Sequence, residues 1–405
     1  MDFNLTDEQI QVRDMVREFA QKEVAPHIQE WEAKTEFHPE VLTRMGELGI
    51  LGLPIPERYG GGGFDYISFA LACEELEKVD SFMRVVMSVH VGLNSLALHQ
   101  WGTEEQKQRW LTPQAEGTKL ATFGLTEPGA GSDAGNIAST VTKDGDDYIL
   151  NGEKMWISLA DAADHFLVFA SMDRSKKHHG LCAFVLERGM PGFTTGTIKG
   201  KLGVRAGNTG WLAFDNVRIP AENRIGEEGE GFKIAMSCID QGRFTVAAGA
   251  VGLAKASLDA SVKYCHEREA FGQEIGQFQL VQQKIAYMVA GIEASELLVA
   301  KAAELKNRGI RNTKETSLAK WYACDVALKS ADEAIQIHGS YGYSNEYPVE
   351  RYWRNARGAV IYEGTREIHQ LVQASYALGY RVDKPLRCPQ PPAQAWEKQP
   401  ELVNA

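Results

Sequence analysis

The order of the segments along the chain constrains its fold more than any single motif. Apolar residues recur with a helical period at the N terminus, where Thr6 and Gln9 form a capping-box pattern and the helix ends at Pro26. Four further helices are predicted before the pattern changes near Lys119, at residues 39–48, 66–79, 82–99 and 103–111. The sequence therefore predicts an N-terminal α-helical domain over residues 1–119.

Short segments rich in β-branched and aromatic residues follow. Turn pairs such as Asp144-Gly145 and Asn151-Gly152 separate these segments. The predicted strands lie at residues 120–125, 136–142, 148–156, 165–171, 181–186 and 211–219. We therefore expect a middle β domain over residues 120–231.

Long, Ala-rich amphipathic helices return after the β domain. They are predicted at 232–267, 277–307 and 313–337, which is typical of an antiparallel bundle, so we expect a C-terminal helical bundle over residues 232–380. The last segment, residues 381–405, is rich in proline and predicts an extended or disordered tail. The fold class is α+β, and this order of units is not that of a doubly wound nucleotide-binding fold.

Acidic residues outnumber basic ones, with 54 Asp and Glu against 43 Lys and Arg and a net charge of −11. This balance argues against non-specific binding to nucleic acids or to anionic membranes. The N terminus lacks the pattern of a signal peptide, and no apolar run approaches the roughly 20 residues of a membrane span. The cysteines show no metal-ligand spacing, so we expect free thiols in a cytoplasmic protein with no metal site: Cys73, Cys182, Cys238, Cys265, Cys324 and Cys388.

Two segments of the β domain carry candidate binding residues. Residues 123–133 combine three glycines with Thr126 and Ser132, and can place several hydrogen-bond donors against a polar ring edge or a phosphate. In the second segment, Trp156 could lie against a planar cofactor, with Ser158 on the same side of the strand. Each segment also has a structural interpretation, as a turn between strands and as a core tryptophan.

A third candidate region lies in the C-terminal half. Residues 336–343 precede several arginines, and Glu363-Gly364 follows them. Glu363 has two interpretations: a solvated glutamate near the start of a helix, or an active-site carboxylate beside a glycine that lets a ligand approach the backbone.

Taken together, these segments resemble the acyl-CoA dehydrogenase family. The stretch T-E-P-G-A-G-S-D at 126–133 and the Q-x-x-G-x-x-G-Y stretch at 336–343 look like its two signature regions, and the resemblance covers residues 1–380. It implies an N-terminal helical domain, a middle β-barrel-like domain and a C-terminal four-helix bundle. It also implies bound FAD, an acyl-CoA substrate, electron-transferring flavoprotein as electron acceptor, and a homotetramer in which a neighbouring subunit partly covers each flavin.

The resemblance makes Glu363 the catalytic base. It would remove the α proton of the thioester while hydride from the β carbon passes to flavin N5. Some members carry the base just before the arginine equivalent to Arg243, but Gln241 and Gly242 stand there in this chain. A low-dielectric pocket should raise the pKa of Glu363. Its backbone N–H and a flavin ribityl hydroxyl should hold the developing enolate charge.

The binding residues also follow from the resemblance. Flavin contacts are expected at Phe123, Leu125, Thr126, Gly131, Ser132, Trp156, Ile157, Ser158, Arg268, Phe271, Gln279, Gln336, Gly339, Ser340 and Thr365. Substrate contacts are expected at Arg84, Ser132, Asp240, Arg243, Tyr362 and Gly364. Ser340 is a departure, because the family commonly has glycine at this position.

Arg84 bears on the substrate. Taken alone, Asp80 and Arg84 at i,i+4 predict an exposed ion pair worth about 0.3–0.5 kcal/mol. The surrounding stretch, however, resembles glutaryl-CoA dehydrogenases, in which an arginine at this place binds the distal carboxylate of the substrate. The segment 377–381 and the proline-rich extension resemble benzylsuccinyl-CoA dehydrogenases of anaerobic toluene degradation.

The expected reaction is therefore oxidation of a carboxylated acyl-CoA such as (R)-2-benzylsuccinyl-CoA to a phenylitaconyl-CoA-type product. Glutaryl-CoA and short- or branched-chain acyl-CoA are alternative substrates. Two other classes stay open from the sequence: a flavin oxidase of the same fold, and a nucleic-acid-associated relative that kept the fold.

Overall fold

A computed structural model describes residues 4–397 of the chain. Residues 398–405 of the predicted tail lie outside this range. The first part of the chain is helical. The helices are α1 (Asp7–Phe19), α2 (Ile28–Lys34), α3 (Glu40–Glu47), α4 (Tyr66–Val79), α5 (Ser81–Val86), α6 (Leu96–Trp101), α7 (Glu104–Gln106) and α8 (Thr112–Ala115). The predicted capping box is confirmed, since Thr6 and Gln9 bond reciprocally at the start of α1.

Helices α5 and α6 belong to one longer helical stretch, Ser81–Trp101, joined by a π-helical segment at Met87–Ser95. By length and composition alone this stretch could cross a membrane, but 94% of its apolar window is buried inside the protein. Packing in the core therefore accounts for its apolar sequence.

The second part is one eight-stranded mixed sheet. Its strands are β1 (Ala121–Gly124), β2 (Thr140–Asp144), β3 (Asp147–Ser158), β4 (His165–Ser171), β5 (Leu181–Glu187), β6 (Phe193–Thr197), β7 (Thr209–Ile219) and β8 (Arg224–Ile225). They pair in the order β6-β7-β3-β2-β4-β5-β8, and β1 runs parallel to the first half of β4. All seven residues of β4 are buried, which places this strand at the centre of the sheet.

Two expectations for the sheet were wrong, and two edge strands were missed. Asn151-Gly152 is not a turn but lies inside β3 at a shift of register, where Gly152 has φ +138° and an added Cβ would lie 2.5 Å from Ser139 Oγ. The strand predicted at 136–142 begins only at Thr140, because the N–H groups of Ala138 and Ser139 bond the Glu127 carboxylate instead of a strand. The edge strands β6 and β8 were not predicted, since β6 contains a glycine and β8 has only 2 residues.

The third part is helical again, with a two-stranded hairpin. It contains α9 (Gly231–Glu267), β9 (Glu269–Ala270), β10 (Gln273–Glu274), α10 (Gln279–Asn307), α11 (Thr313–His338), α12 (Val349–Ala359), α13 (Arg366–Ala377) and α14 (Gln394–Glu397). Helix α9 packs on α10 and α11 and also on α4 of the first part. At Gly252 an added Cβ would lie 2.2 Å from the Glu74 carbonyl oxygen, so glycine permits the close contact between α9 and α4.

A buried ion pair joins the two candidate segments of the sheet. Lys154 Nζ lies 2.6 Å from Glu127 Oε1, and the two side chains are 0% and 3% exposed. Burial by itself would raise the pKa of Glu127. The Lys154 ammonium and the N–H groups of Ser139 and Ala138 outweigh that effect and hold the pKa of Glu127 below its ordinary value.

We expect Glu127→Gln to destabilise the sheet by roughly 3–5 kcal/mol, because it leaves the Lys154 charge buried without its counter-charge. The free energy of unfolding in denaturant measures this loss. Glu153→Gln is the matched control, since Glu153 is an exposed glutamate next to Lys154 on β3. Glu127→Gln combined with Lys154→Met should recover much of the loss. A single variant as stable as the wild type would contradict the assignment.

Candidate active site

Glu363 lies in the short turn between α12 and α13. Its backbone has φ +55°, and the following Gly364 has φ +98°. A residue with a side chain rarely adopts this left-handed conformation, and holding it there costs of the order of 1–3 kcal/mol. Thr365 ends the turn by capping α13, accepting from the N–H of Ile368. The turn directs the Glu363 carboxylate back towards α9.

Gly242 of α9 provides the space that this carboxylate occupies. A Cβ added at Gly242 would lie 1.8 Å from Glu363 Oε2. Any side chain at position 242 would displace Glu363. Position 242 therefore cannot carry a carboxylate while Glu363 keeps its place. The space beside Gly242, where the base was expected to lie in some members of the resembled family, is thus occupied by the Glu363 carboxylate.

The Glu363 carboxylate is poorly compensated. Its Oε2 atom is buried and has no hydrogen-bond partner. Burial raises the pKa of Glu363 to about 7, against the opposing charges of Arg84, Lys320 and Arg243. A carboxyl group with its pKa near neutrality is suited to take a proton from a weak carbon acid and to release it again.

Arg84 lies in a buried network rather than in an exposed pair. Its guanidinium is 1% exposed and bonds Glu77 through Nε, Ser88 Oγ at 3.0 Å through Nη1 and Tyr362 OH at 2.5 Å through Nη2. The Glu77 carboxylate outweighs burial and raises the pKa of Arg84 above its ordinary value. These contacts use three of the five guanidinium N–H groups, so two are left for a ligand.

The predicted i,i+4 pair between Asp80 and Arg84 is therefore wrong. The helix is broken at Asp80, whose backbone is extended, and the Asp80 carboxylate caps α5 by accepting from Phe82 N at 2.9 Å. It also accepts from Asn355 Nδ2 at 3.0 Å. The true partner, Glu77, was missed because it lies on the other side of this break.

Two further buried groups that the sequence did not reveal support the Glu363 turn. Lys320 of α11 is 1% exposed and donates to the Gly364 carbonyl oxygen at 2.8 Å. His369 of α13 is fully buried, with Nδ1 2.8 Å from Ser317 Oγ, and an added Cβ on Gly364 would lie 3.1 Å from its Nε2. Burial is the main cause that lowers the pKa of both groups. Their only sequence signal was a polar residue on the buried face of a helix.

One cavity of about 1520 Å³ contains most of the predicted site. This exceeds the roughly 300–1,000 Å³ of a site for one small ligand, so two ligands can meet inside it. The predicted residues that line it are Arg84, Phe123, Leu125, Thr126, Gly131, Ser132, Trp156, Ile157, Ser158, Asp240, Arg243, Tyr362, Glu363, Gly364 and Thr365. The acid–base group and the two β-domain segments thus face the same space.

The sheet side of the cavity suits a flat ring with polar edges. Trp156 lies at a register shift in β3 with φ +63° and is 60% exposed, whereas the next residue, Ile157, is 3% exposed. The Met155 N–H donates to the Thr126 carbonyl oxygen at 2.9 Å, which holds the two segments together. An exposed indole beside hydroxyls and open glycine backbone matches the residue types that hold an isoalloxazine ring.

Six predicted cofactor residues do not reach this cavity. They lie exposed at the C-terminal ends of α9 and α11, in the β9–β10 hairpin and at the start of α10. The ends of α9 and α11 meet where Tyr264 stacks on His338 with ring centroids 4.2 Å apart. Phe271 is 97% exposed with φ +53°. The six residues are Arg268, Phe271, Gln279, Gln336, Gly339 and Ser340.

Arg243 and Asp240 complete the α9 side of the cavity. Arg243 donates to the Glu363 carbonyl oxygen at 3.3 Å and pairs with Asp240 Oδ1 at 3.1 Å. Asp240 also accepts from Thr313 Oγ1 at 2.5 Å. Among the described residues, no group of three or more His, Cys, Asp or Glu side chains is arranged to hold a metal ion.

Comparison with known proteins gives consistent matches along the chain. The N-terminal, middle and C-terminal domain models of acyl-CoA dehydrogenases match residues 6–118, 122–217 and 229–377. A short-chain specific acyl-CoA dehydrogenase of Megasphaera elsdenii is 45% identical over 376 residues, covering 92% of this chain and 98% of that protein.

Two solved structures have the same fold. A chain in the structural study of the electron transferring flavoprotein of Acidaminococcus fermentans is 46% identical, with a TM-score of 0.92 over 93% of this chain and 100% of that one. Glutaryl-CoA dehydrogenase in its glutaryl-CoA complex is 40% identical, with a TM-score of 0.92 over 94% and 98%. The chain belongs to the acyl-CoA dehydrogenase family, whose members are FAD-dependent oxidoreductases.

Proposed function

We propose that this protein oxidises the Cα–Cβ bond of an acyl-CoA thioester with Glu363 as the base. The observation that carries this proposal is the half-buried Glu363, whose Oε2 is buried without a hydrogen-bond partner and whose pKa is raised to about 7, in the same cavity as the Trp156 and Thr126 segments. Glu363 takes the α proton of the thioester. FAD, when bound, supplies the acceptor for the β hydride and its two electrons, so the product is the α,β-unsaturated thioester.

Backbone groups of the same turn can stabilise the charge that develops on the thioester carbonyl. In the described part of the chain, the Glu363 N–H donates to no acceptor. An unpaired N–H next to the base is placed to bind the carbonyl oxygen as it becomes enolate-like. Lys320, through the Gly364 carbonyl, holds the backbone that presents both groups.

Glu363→Gln should lower turnover by about 10³-fold or more, because the amide cannot accept the α proton. The variant should retain bound flavin, since Glu363 is not among the proposed cofactor contacts. Steady-state turnover and the visible flavin spectrum test both statements. Glu367→Gln, an exposed glutamate on α13, is the matched control. Full activity of the Glu363 variant would overturn the proposal.

The pH dependence follows from the raised pKa. Since the base must be ionised, kcat/KM should fall by about tenfold per pH unit below a midpoint near the Glu363 pKa of about 7, and level off above it. For folding the sign is opposite: the folded state keeps the proton between the ordinary glutamate pKa of 4.5 and the raised pKa of about 7, so this group lowers stability as pH rises through that range. A kcat/KM profile that stays flat across neutrality would contradict the assignment.

For the substrate, we propose a carboxylated acyl group bound at Arg84. Arg84 lines the cavity beside Ser88, Val89 and Leu93, and two of its five N–H groups have no partner within the described residues. A carboxylate accepts such paired N–H groups well. (R)-2-Benzylsuccinyl-CoA, oxidised to a phenylitaconyl-CoA-type product, combines a carboxylate with a bulky apolar group, and glutaryl-CoA is the smaller alternative. The similarity to glutaryl-CoA dehydrogenase supports the carboxylate.

A short straight-chain acyl-CoA is the second candidate. The 45% identity to a short-chain specific relative favours it. The network itself also offers support, because Glu77 already neutralises Arg84 and the buried pair does not require a charged ligand.

Replacing both members of the pair distinguishes these substrates. The single Arg84→Gln variant would leave the Glu77 charge buried without a partner. The double variant Glu77→Gln with Arg84→Gln leaves no buried charge unpaired. For benzylsuccinyl-CoA and glutaryl-CoA we expect kcat/KM to fall by about 10²-fold or more, and for butyryl-CoA to change little. A panel of CoA thioesters with an artificial electron acceptor measures this. An equal loss on all substrates would overturn the carboxylate role and leave the straight-chain candidate.

We also propose that the protein forms a homotetramer and passes electrons to electron-transferring flavoprotein. The six predicted cofactor residues outside the cavity are exposed, and they would complete the cofactor site of a neighbouring copy. Helix α10 presents exposed apolar side chains at Leu280, Tyr287, Val289 and Leu297, which an interface between copies would cover. The similarity to the A. fermentans chain supports the flavoprotein as electron acceptor.

A further inference from the structure

The segment from Arg381 to Ala393, called the strap here, is extended and crosses from α13 to the N-terminal domain. Near its start, Arg311 donates to the Lys384 carbonyl oxygen at 2.6 Å and pairs with Asp383 at 3.3 Å. In its middle, Arg387 pairs with Glu230 at 2.7 Å. The strap is therefore held at points distributed along its length.

Further contacts fix the far end of the strap. Gln100 of α6 donates to the Cys388 carbonyl oxygen at 2.9 Å, and the Ala393 N–H donates to the Asn307 carbonyl oxygen at 3.0 Å. Prolines restrict the backbone further, which lowers the entropy lost on ordering the segment. The strap is thus a preformed part of the surface. It also lies beyond residue 377, where the match to the family's C-terminal domain ends.

The strap forms one wall of the active-site cavity. Its lining residues are Arg381, Asp383, Lys384, Pro385, Leu386, Pro389 and Gln390. The first turns of α9 line the same cavity through Phe232, Lys233 and Met236. The ion pair between Arg387 and Glu230 ties the strap to the residue just before α9. A ligand that extends outward from Glu363 along α9 therefore passes the strap.

The charges on this wall are not all compensated. Arg387 and Arg311 each pair with a carboxylate, at Glu230 and Asp383. Lys384 on the strap and Lys233 on α9 are exposed, and within the described residues neither forms an ion pair. The Lys233 charge acts only from a distance on Glu230, which Arg387 already pairs, and helps to lower the pKa of Glu230. In a chain of net charge −11, two ammonium groups that line one cavity without an ion pair provide a local site for an anion.

We propose that the strap is part of the CoA site of this chain, with Lys384 and Lys233 binding phosphate groups of the CoA nucleotide. The inference rests on the proposed function, because it takes an acyl-CoA as the substrate. Pro385, Leu386 and Pro389 cover the pantetheine arm, whose apolar stretches suit such a wall. Lysine binds phosphate as a point charge without a fixed geometry, which fits two exposed side chains that line the cavity.

The test compares ligands with and without phosphates by isothermal titration calorimetry on the full-length, FAD-loaded protein. Binding of CoA and of pantetheine is measured for the wild type and for Lys384→Gln. We expect the variant to lose about tenfold in affinity for CoA, and the ratio of the two dissociation constants to fall by the same factor. The loss should shrink at high salt, since the contact is ionic and exposed. Lys34→Gln, an exposed lysine on α2 outside the cavity, is the matched control.

A second variant tests the strap itself. Arg387→Gln removes the ion pair to Glu230 and should weaken binding of both CoA and pantetheine, because the whole wall loses its anchor. An unchanged ratio of dissociation constants in Lys384→Gln overturns the phosphate contact. If the strap becomes sensitive to protease in Arg387→Gln but the variant binds both ligands as the wild type does, the strap is not part of the CoA site. Failure of the proposed function is a separate result: the wild type would oxidise no acyl-CoA, whatever its affinity for CoA.

Discussion

The space between Gly242 and the left-handed turn at Glu363 is the constraint on which the candidate active site depends. A carboxylate oxygen lies where the first carbon of any other side chain at Gly242 would be. This contact requires α9 and the turn between α12 and α13 to approach closely. Lys320 and Arg243, which donate to the carbonyls of Gly364 and Glu363, maintain the approach. The architecture of the helical part thus positions the carboxylate that we propose as the base.

The charges near Glu363 explain how its carboxyl group keeps a pKa near neutrality beside three cations. Arg84 is paired with Glu77, Arg243 with Asp240, and Lys320 donates to a carbonyl oxygen. Since two of these cations already have a counter-charge, their pull on Glu363 is weakened, and burial has the larger effect on its pKa. The pair of Arg84 and Glu77 carries no net charge, yet Arg84 keeps two N–H groups without a partner within the described residues. Arg84 can therefore recognise a ligand by hydrogen bonds.

Several parts of the site could be predicted from the sequence because they are local. The segments at 123–133 and 154–158, the turn at Glu363-Gly364 and the long helices carry their pattern in neighbouring residues, and the structure places these segments around one cavity. The partner of Arg84 could not be predicted, since a helix break at Asp80 changes which residues face each other. Asn151-Gly152 was misread as a turn because the need for glycine comes from Ser139 on a neighbouring segment.

The sequence by itself determined the order of helical and β units, the family resemblance and the identity of the base candidate, since each is encoded in short-range pattern and residue type. Only the tertiary structure decided that Glu77 neutralises Arg84, that Lys320 and His369 support the turn, and that the strap lines the cavity. Those features arise from contacts between residues far apart in the chain. Burial and pairing energies depend on such contacts, and no local pattern records them.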